Sequence, residues 1–228
     1  MEEQKTLTHT SVMKAMDWAY DKAVNGISKF DSAETMANDF LKGSGTLRDK
    51  ANRLIRWQNT KAGTAGFVLG LGGAITLPAT IPLNITSVLY VQIRMIAAIA
   101  KMGGHNLHDD RVKSLVFCCL VSTSVNDVVK QTGIKIGEHL AKNAIKNISK
   151  ETIKTINKKV GFRLLTKFGE KGVVNFGKLL PLIGGVVGGL FDGISTNIIG
   201  NVARDTFIPE RKSKVESQIE EIQNLVQQ

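Results

Sequence analysis

Two histidines and two aspartates follow one another closely in the sequence GGHNLHDDR. His105 and His108 are three residues apart, and Asp109 and Asp110 come directly after them. Imidazole and carboxylate groups bind divalent metals, and this spacing suits a metal if all four residues share one helical turn. Here they follow a glycine pair at the start of a helix, where Asp109 is better explained as an N-cap. The sequence therefore predicts no metal site.

Motifs for nucleophilic or nucleotide chemistry are missing from the chain. No serine or cysteine stands in a G-x-S-x-G setting, so hydrolase chemistry has no nucleophile to build on. The run from Gly66 to Gly73 lacks the Lys-Ser/Thr ending of a P-loop and the third glycine of a dinucleotide fingerprint. We expect a protein that is not an enzyme, with no catalytic residue and no cofactor.

Asp192 lies inside an otherwise uncharged helical stretch, beside Gly189 and Gly193. A buried carboxylate needs a partner, or its pKa rises until the group is neutral. Arg94 and Arg204 are candidate partners, and a polar network with Asn197 or Asn126 is the ordinary structural explanation. A role in ion passage or proton switching, and simple exposure, are the alternatives.

Positive charge is concentrated in one part of the chain. The net charge is +10, and residues 130–178 contain twelve Lys or Arg against three acids, a balance of +9. Five lysines recur there at every fourth residue, with isoleucines elsewhere on the predicted helix: Lys142, Lys146, Lys150, Lys154 and Lys158. Such a helix suits an anionic membrane surface. Nucleic acid is a weaker alternative, because the segment has few aromatic residues and no binding motif, and a solvated face of a soluble bundle is the third.

A long uncharged stretch from Ala62 to Ile93 precedes this basic segment in the chain. It is long enough to cross a bilayer, but it contains five glycines and two prolines, which are costly inside a helix. We predict a glycine-rich helix ending near Leu77, a turn from Pro78 to Pro82, and a second helix capped by Asn84. This hairpin is either the buried centre of the fold or an element that enters a membrane.

A second glycine-rich helix follows Pro181. Glycines recur four residues apart in two sets, a spacing that lets helix backbones approach closely: Gly184 with Gly188, and Gly185, Gly189 and Gly193. The expected partner is the hairpin helix, through Gly66, Gly70 and Gly73.

Every strong periodicity in the chain is helical, which predicts an all-α, single-domain bundle with these two glycine-rich helices at its centre. The domain is expected to span residues 1–208, followed by an amphipathic helix over 209–228 that offers a route to self-association. Cys118 and Cys119 are adjacent, so they suit a reduced core rather than a zinc site or a disulfide. The N-terminus lacks the apolar region of a secretory signal, so a cytoplasmic location is expected.

Four blocks in this order resemble the EcsC protein family: GLGGAITLPATIP, LYVQIRMIAAIAKMGGHNL, INKKVGFRLLTKFGEKG and KLLPLIGGVVGGLFDGISTNIIGNVARDTF. The likeness covers residues 15–209. The family is named after a bacterial protein encoded beside the subunits of an ABC transporter, and it has no defined biochemical activity. The resemblance thus implies a bacterial protein with a membrane context and no particular chemistry.

These features together predict a cytoplasmic protein, peripherally bound to the membrane, that assists a membrane complex or perturbs the bilayer. In this hypothesis the basic helix binds first and the hairpin then inserts. Two alternatives stay open. One is a soluble scaffold whose hairpin remains buried, and the other is a pore-forming toxin or effector whose hairpin opens into the membrane.

Overall fold

A computed structural model describes residues 8–27, 30–62, 83–121, 134, 139–140, 142–168 and 186–210. These residues contain helices and no strand, which confirms the predicted all-α class. In chain order the helices are α1 (His9–Asn25), α2 (Ala33–Leu41), α3 (Leu47–Ala62), α4 (Leu83–Met102), α5 (Asp110–Leu120), α6 (Lys142–Lys146), α7 (Lys150–Phe168) and α8 (Val186–Phe207).

Several helices begin where the sequence places a capping residue. Thr46 and Asp49 form a reciprocal pair before α3: the Thr46 amide donates to the Asp49 carboxylate at 2.9 Å, and the Asp49 amide donates to the Thr46 hydroxyl at 3.2 Å. Asp109 caps α5 as predicted, since its carboxylate accepts from the Arg111 amide at 2.8 Å. These local bonds satisfy backbone donors that the first turn leaves without partners.

The helix α4 is the centre of the described structure. It packs against α1, α2, α3, α5 and α8, and its side chains from Leu89 to Ala100 are all buried. A helix that is apolar almost all round requires neighbours on every side. It begins at Leu83, one residue earlier than predicted, so Asn84 belongs to its first turn and is not the cap.

The helices α8 and α3 pack antiparallel to each other. Arg48 pairs with Asp205 and Asn52 accepts from Arg204, while one turn further a Cβ on Gly200 would lie 2.8 Å from Ile55. Gly200 therefore permits the closest approach of these two helices. The close packing predicted for the glycines from Gly184 to Gly193 concerns a different pair of helices and stays a prediction.

The helices α4 and α8 lie side by side with their C-terminal ends together. A Cβ on Gly103 would collide with the backbone carbonyl of Phe207, and the His105 ring lies 3.2 Å from the same oxygen. Since α4 runs parallel to α8 and α3 runs antiparallel to it, Ala62, Leu83 and Val186 all lie at one end of this three-helix unit. We call this the junction end.

The lysine-bearing segment forms two helices rather than the single helix that its spacing suggested. The first helix, α6, ends at Lys146, and Asn147 to Ser149 separate it from α7. The Ser149 hydroxyl accepts from the Thr152 amide at 3.1 Å, so it starts the second helix as an N-cap. Lys142 and Lys146 therefore belong to a different helix from Lys150, Lys154 and Lys158.

Parts of the predicted architecture lie outside the described residues. They include the hairpin positions Gly66, Gly70, Gly73, Pro78 and Pro82, the early glycines Gly184 and Gly185, and the C-terminal helix. The pairing of the two glycine-rich helices and the domain boundary at residue 208 stay predictions.

The contact between α4 and α8 gives a stability prediction. Gly103→Ala places a methyl group against the Phe207 carbonyl, which cannot move without shifting α8. We therefore expect the free energy of unfolding to fall by about 1–3 kcal/mol or more. Gly43→Ala is the matched control, because its methyl meets the end of the long Arg53 side chain, which can shift, and lies at ordinary contact distance from the Phe40 carbonyl. This change should alter stability by less than about 0.5 kcal/mol. Urea unfolding measures both, and equal stability of the two variants would contradict the packing described here.

Candidate functional site

Five exposed lysines lie on α6 and the first three turns of α7. We call it the basic surface and define it by Lys142, Lys146, Lys150, Lys154 and Lys158, all of which are exposed. Among the residues that the structure describes, none of these five ammonium groups has an ion-pair or hydrogen-bond partner. Some other surface cations are paired, such as Lys113 with Asp17 at 2.7 Å and Lys101 with Glu34 at 2.6 Å.

The local charge of this surface is strongly positive. Residues 142–168 contain eight Lys or Arg and one acid, Glu151, which gives +7. A concentration of like charges produces a field that attracts polyanions and is screened by salt. The surface is thus suited to an extended anionic partner.

The apolar side of these two helices is already used by the fold. Ile145 and Ile148 are buried, and in α7 Ile156, Val160 and Leu164 are 0%, 0% and 1% exposed. They pack where α7 meets α1 and α5. We had expected the isoleucines of this segment to be free to enter lipid, but the structure places them in the core. The two helices therefore expose their lysines while their apolar faces stay packed on the core.

One aromatic side chain extends the basic surface beyond Lys158. Phe162 is 50% exposed, and its ring lies 4.5 Å from the ring of His9. His9 is held in place by the Lys158 carbonyl, 3.1 Å from its Nε2. The four-residue spacing from Lys150 through Lys158 continues to this phenylalanine, so the sequence contains a signal for its position.

Arg94 is buried at 3% exposure on α4. Its guanidinium donates to the Asp31 carbonyl at 3.3 Å and lies 5.6 Å and 5.7 Å from the ring centres of Phe30 and Tyr90. Burial lowers the pKa of Arg94, an effect that the facing Tyr90 opposes. Among the described residues Nε has no hydrogen-bond partner, and the cation is held mainly by two aromatic rings.

The predicted pairing of Arg94 with Asp192 stays a prediction. The backbone of Asp192 belongs to α8, together with Gly188, Gly189 and Gly193, but its side chain is outside the description. The other candidate partner, Arg204, is engaged by Asp205, Asn52 and Asn201 at 2.6 to 3.1 Å.

The histidine and aspartate cluster has structural roles. The ring of His105 is buried against Phe207, and Asp109 caps α5. The described residues contain no group of three or more side chains arranged to hold a metal ion. A small cavity of about 180 Å³ beside His108 is lined by Asp17, Asp21, Asp109 and Asp110, with the Tyr20 hydroxyl donating to the Leu107 carbonyl at 2.7 Å.

The adjacent cysteines are core residues, as predicted. Both are fully buried and neither forms a disulfide. Burial raises the pKa of the Cys119 thiol to about 12 and raises that of Cys118 as well. Neither thiol is therefore a nucleophile in the folded protein.

Comparison with known proteins connects this fold to a family. The model of the EcsC protein family matches residues 5–208, which include all of the described helices. The chain belongs to the EcsC protein family. No curated protein and no solved structure gives a significant match. Within the described part of this EcsC-family chain, no helix is both long and apolar enough to cross a bilayer.

The buried His105 gives a pH prediction. Burial lowers its pKa below the ordinary value of about 6.5, with Lys142 and His139 acting in the same direction, although the bond to Phe207 opposes this. The unfolded chain therefore binds the proton first as pH falls. We expect the free energy of unfolding to decrease below about pH 6.5, with a slope of at most about 1.4 kcal/mol per pH unit from this residue.

Chemical unfolding between about pH 8 and pH 5 tests this expectation, since those limits lie on either side of the ordinary histidine pKa. His105→Gln keeps a donor for the Phe207 carbonyl but cannot titrate, so the wild type should lose stability relative to this variant as pH falls. His108→Gln removes an exposed histidine from the same loop and serves as the control. Parallel curves for the wild type and His105→Gln would show that the ring is not desolvated.

Proposed function

We propose that this EcsC-family protein is a non-enzymatic cytoplasmic protein that binds peripherally to anionic membranes, where it assists a membrane complex or perturbs the bilayer. The observation that carries the proposal is the basic surface, five exposed lysines without partners among the described residues. A protein gains nothing in stability from such a cluster, because like charges repel one another. A polyanionic partner relieves that repulsion.

Magnitudes favour reversible docking through the lysines. Each lysine near an anionic leaflet contributes about 1 kcal/mol, so five contribute on the order of 5 kcal/mol. This is similar to the marginal, reversible attachment that a single myristoyl chain provides. Half-exposed Phe162 adds an apolar contact beside the charges.

The soluble-scaffold alternative is favoured by one observation: the side chains of α4 from Leu89 to Ala100 and the inner face of α7 are buried by neighbouring helices. A protein of this kind can carry a basic surface for another macromolecule without touching lipid. The pore-forming alternative differs in its consequence, because insertion of the hairpin makes vesicles leak whereas surface docking does not. Both alternatives are therefore decided by vesicle experiments.

Sedimentation with vesicles tests the proposal. We expect binding to phosphatidylglycerol-containing vesicles at low salt, little binding to pure phosphatidylcholine, and release at about 1 M salt, where the Debye length is about 3 Å. Lys150→Glu with Lys154→Glu should weaken binding at least about 30-fold, since it removes about 2 kcal/mol of attraction. Lys14→Glu with Lys42→Glu makes the same charge change on exposed positions of α1 and the α2–α3 connection, and should have a smaller effect.

Four results count against the proposal or redirect it. Absence of binding to anionic vesicles at low salt rejects membrane association and leaves the scaffold. Equal weakening by the two double variants shows that net charge matters and the basic surface does not. Salt-resistant binding with dye leakage selects the pore-forming alternative, and preference for duplex DNA over vesicles in competition assigns the lysines to nucleic acid.

A further inference from the structure

We infer that Arg94 is the base of a binding site for a phosphate group, formed together with Tyr90 and the N-terminal turn of α2 and covered by the side chain of Phe30. None of these residues belongs to the basic surface, so the inference goes beyond the proposed function and does not depend on it. It assigns a ligand to a buried cation for which the described residues provide no counter-ion.

The guanidinium of Arg94 is buried without a carboxylate beside it. In the part of the chain that the structure describes, its one hydrogen bond goes to a neutral group, the Asp31 carbonyl at 3.3 Å, and Nε has no acceptor. No described carboxylate lies within 4 Å of it, and the Asp31 carboxylate acts on it only from a longer distance. A buried charge is costly unless it is paired and hydrogen-bonded. A bound anion supplies both the charge and the acceptors.

The hydroxyl of Tyr90 is a second buried donor. Tyr90 precedes Arg94 by four residues, so the two side chains leave α4 on the same face. Tyr90 is 0% exposed and its hydroxyl faces the guanidinium, but it has no partner in hydrogen-bonding geometry among the described residues. Buried polar side chains are ordinarily satisfied. Two neighbouring donors without acceptors therefore mark this face of α4 as a place for a ligand that accepts hydrogen bonds.

This face of α4 is directed towards α2 and away from α8. Lys101, two turns after Arg94 on the same face, pairs with Glu34 of α2 at 2.6 Å. Gly103, which contacts α8, is nine residues from Arg94, and nine residues turn a helix by about 180° from the starting direction. At this contact α8, which carries the candidate partner Asp192, meets the opposite side of α4.

The N-terminus of α2 faces the same region. Asp31, whose carbonyl accepts from Arg94, directly precedes Ser32, the N-cap of α2. A helix N-terminus has partial positive charge and amides without intrahelical partners, which together suit a phosphate group. An open cavity of about 400 Å³ lies beside this turn, a volume within the range of small-molecule sites. It is lined by Asn25, Gly26, Ile27, Phe30, Ser32 and Thr35.

The side chain of Phe30 separates this cavity from Arg94. Phe30 lines the cavity, and its ring centre lies 5.6 Å from the guanidinium carbon and 6.2 Å from the ring centre of Tyr90. Two backbone bonds with Ile27, at 2.8 and 3.1 Å, hold the main chain of Phe30 in place. Rotation of this one side chain therefore opens the guanidinium to the cavity while the backbone keeps its path.

The surrounding charges suit one phosphate group rather than a polyanion. Arg94 is the buried cation, Glu34 is neutralised by Lys101, and the exposed Asp31 carboxylate repels further negative charge. The donors are a guanidinium, a hydroxyl and the first amides of α2, which lie in different directions. A tetrahedral phosphate offers oxygens in several directions, whereas a carboxylate offers two in one plane.

Calorimetric titration and thermal unfolding with inorganic phosphate test the inference. We expect sodium phosphate to raise the unfolding midpoint above that in sodium chloride of equal ionic strength, because a ligand of the folded state stabilises it. Arg94→Gln removes the cation and should weaken phosphate binding at least about 10-fold, as expected for loss of a charge-assisted hydrogen bond. Arg56→Gln, at an exposed position of α3, is the matched control and should bind like the wild type.

Tyr90→Phe separates ligand binding from a purely structural role. Since the hydroxyl has no described partner, its removal should leave the unfolding midpoint without phosphate unchanged or higher. Phosphate should nevertheless bind about 2- to 10-fold more weakly, the value of one neutral hydrogen bond. This variant keeps the ring that packs on Phe30, so it decides the question even if Arg94→Gln does not fold.

Three results overturn the inference. They are equal stabilisation by phosphate and chloride, unchanged phosphate binding in both the Arg94 and Tyr90 variants, and loss of phosphate binding in the Lys150→Glu, Lys154→Glu protein, which places the phosphate on the basic surface. Where the site is upheld, vesicle sedimentation of Arg94→Gln identifies the source of the phosphate. Unchanged binding assigns a free phosphate compound, and weakened binding assigns a lipid headgroup. Failure of the wild type to bind vesicles rejects the proposed function and leaves this site standing.

Discussion

The close approach of α4 and α8 at Gly103 and Phe207 is the contact on which the arrangement of the other helices depends. It fixes these two long helices in parallel, and α3 then pairs with α8 through Gly200 and the Arg48–Asp205 bridge. With these three helices aligned, the ends that lead into the two most apolar parts of the sequence come together. Glycine at position 103 is thus a requirement of the backbone path, because a carbonyl lies where a side chain would stand.

The behaviour of α7 follows from a balance between burial and charge. Removing side chains such as Ile156, Val160 and Leu164 from the core costs about 1.5–3 kcal/mol each, so exposing all three costs about 5–9 kcal/mol. The five lysines contribute on the order of 5 kcal/mol at an anionic surface. Since the attraction does not exceed the cost of unpacking, α7 stays on the core and acts through its outer face.

Sequence reasoning succeeded where a single residue type decides the local structure. The Asp109 cap was predicted because a carboxylate group satisfies the first amides of a helix. The all-α class followed from helical apolar periodicity in the same way. These features depend on neighbours within one turn, which the sequence contains in full.

The misplaced features depend on contacts between distant residues or on competing local signals. The lysines keep their four-residue spacing across Asn147 and Ser149, so the spacing predicted one continuous helix. The helix is interrupted there because Ser149 caps the start of α7. The role of Gly200 was not predicted, because the regular glycine spacing lies at Gly184–Gly193. The proximity of Gly200 to Ile55 is a tertiary contact between distant residues, which the sequence pattern does not contain.

The paired thiols of α5 also make the protein convenient to label. Cys118 and Cys119 are the only cysteines in the chain, and both are buried with raised pKa values. A maleimide or spin label reacts with thiolates that solvent can reach. A cysteine introduced on the outer surface is therefore modified selectively in the folded protein, without first replacing the native pair and disturbing the core that they fill.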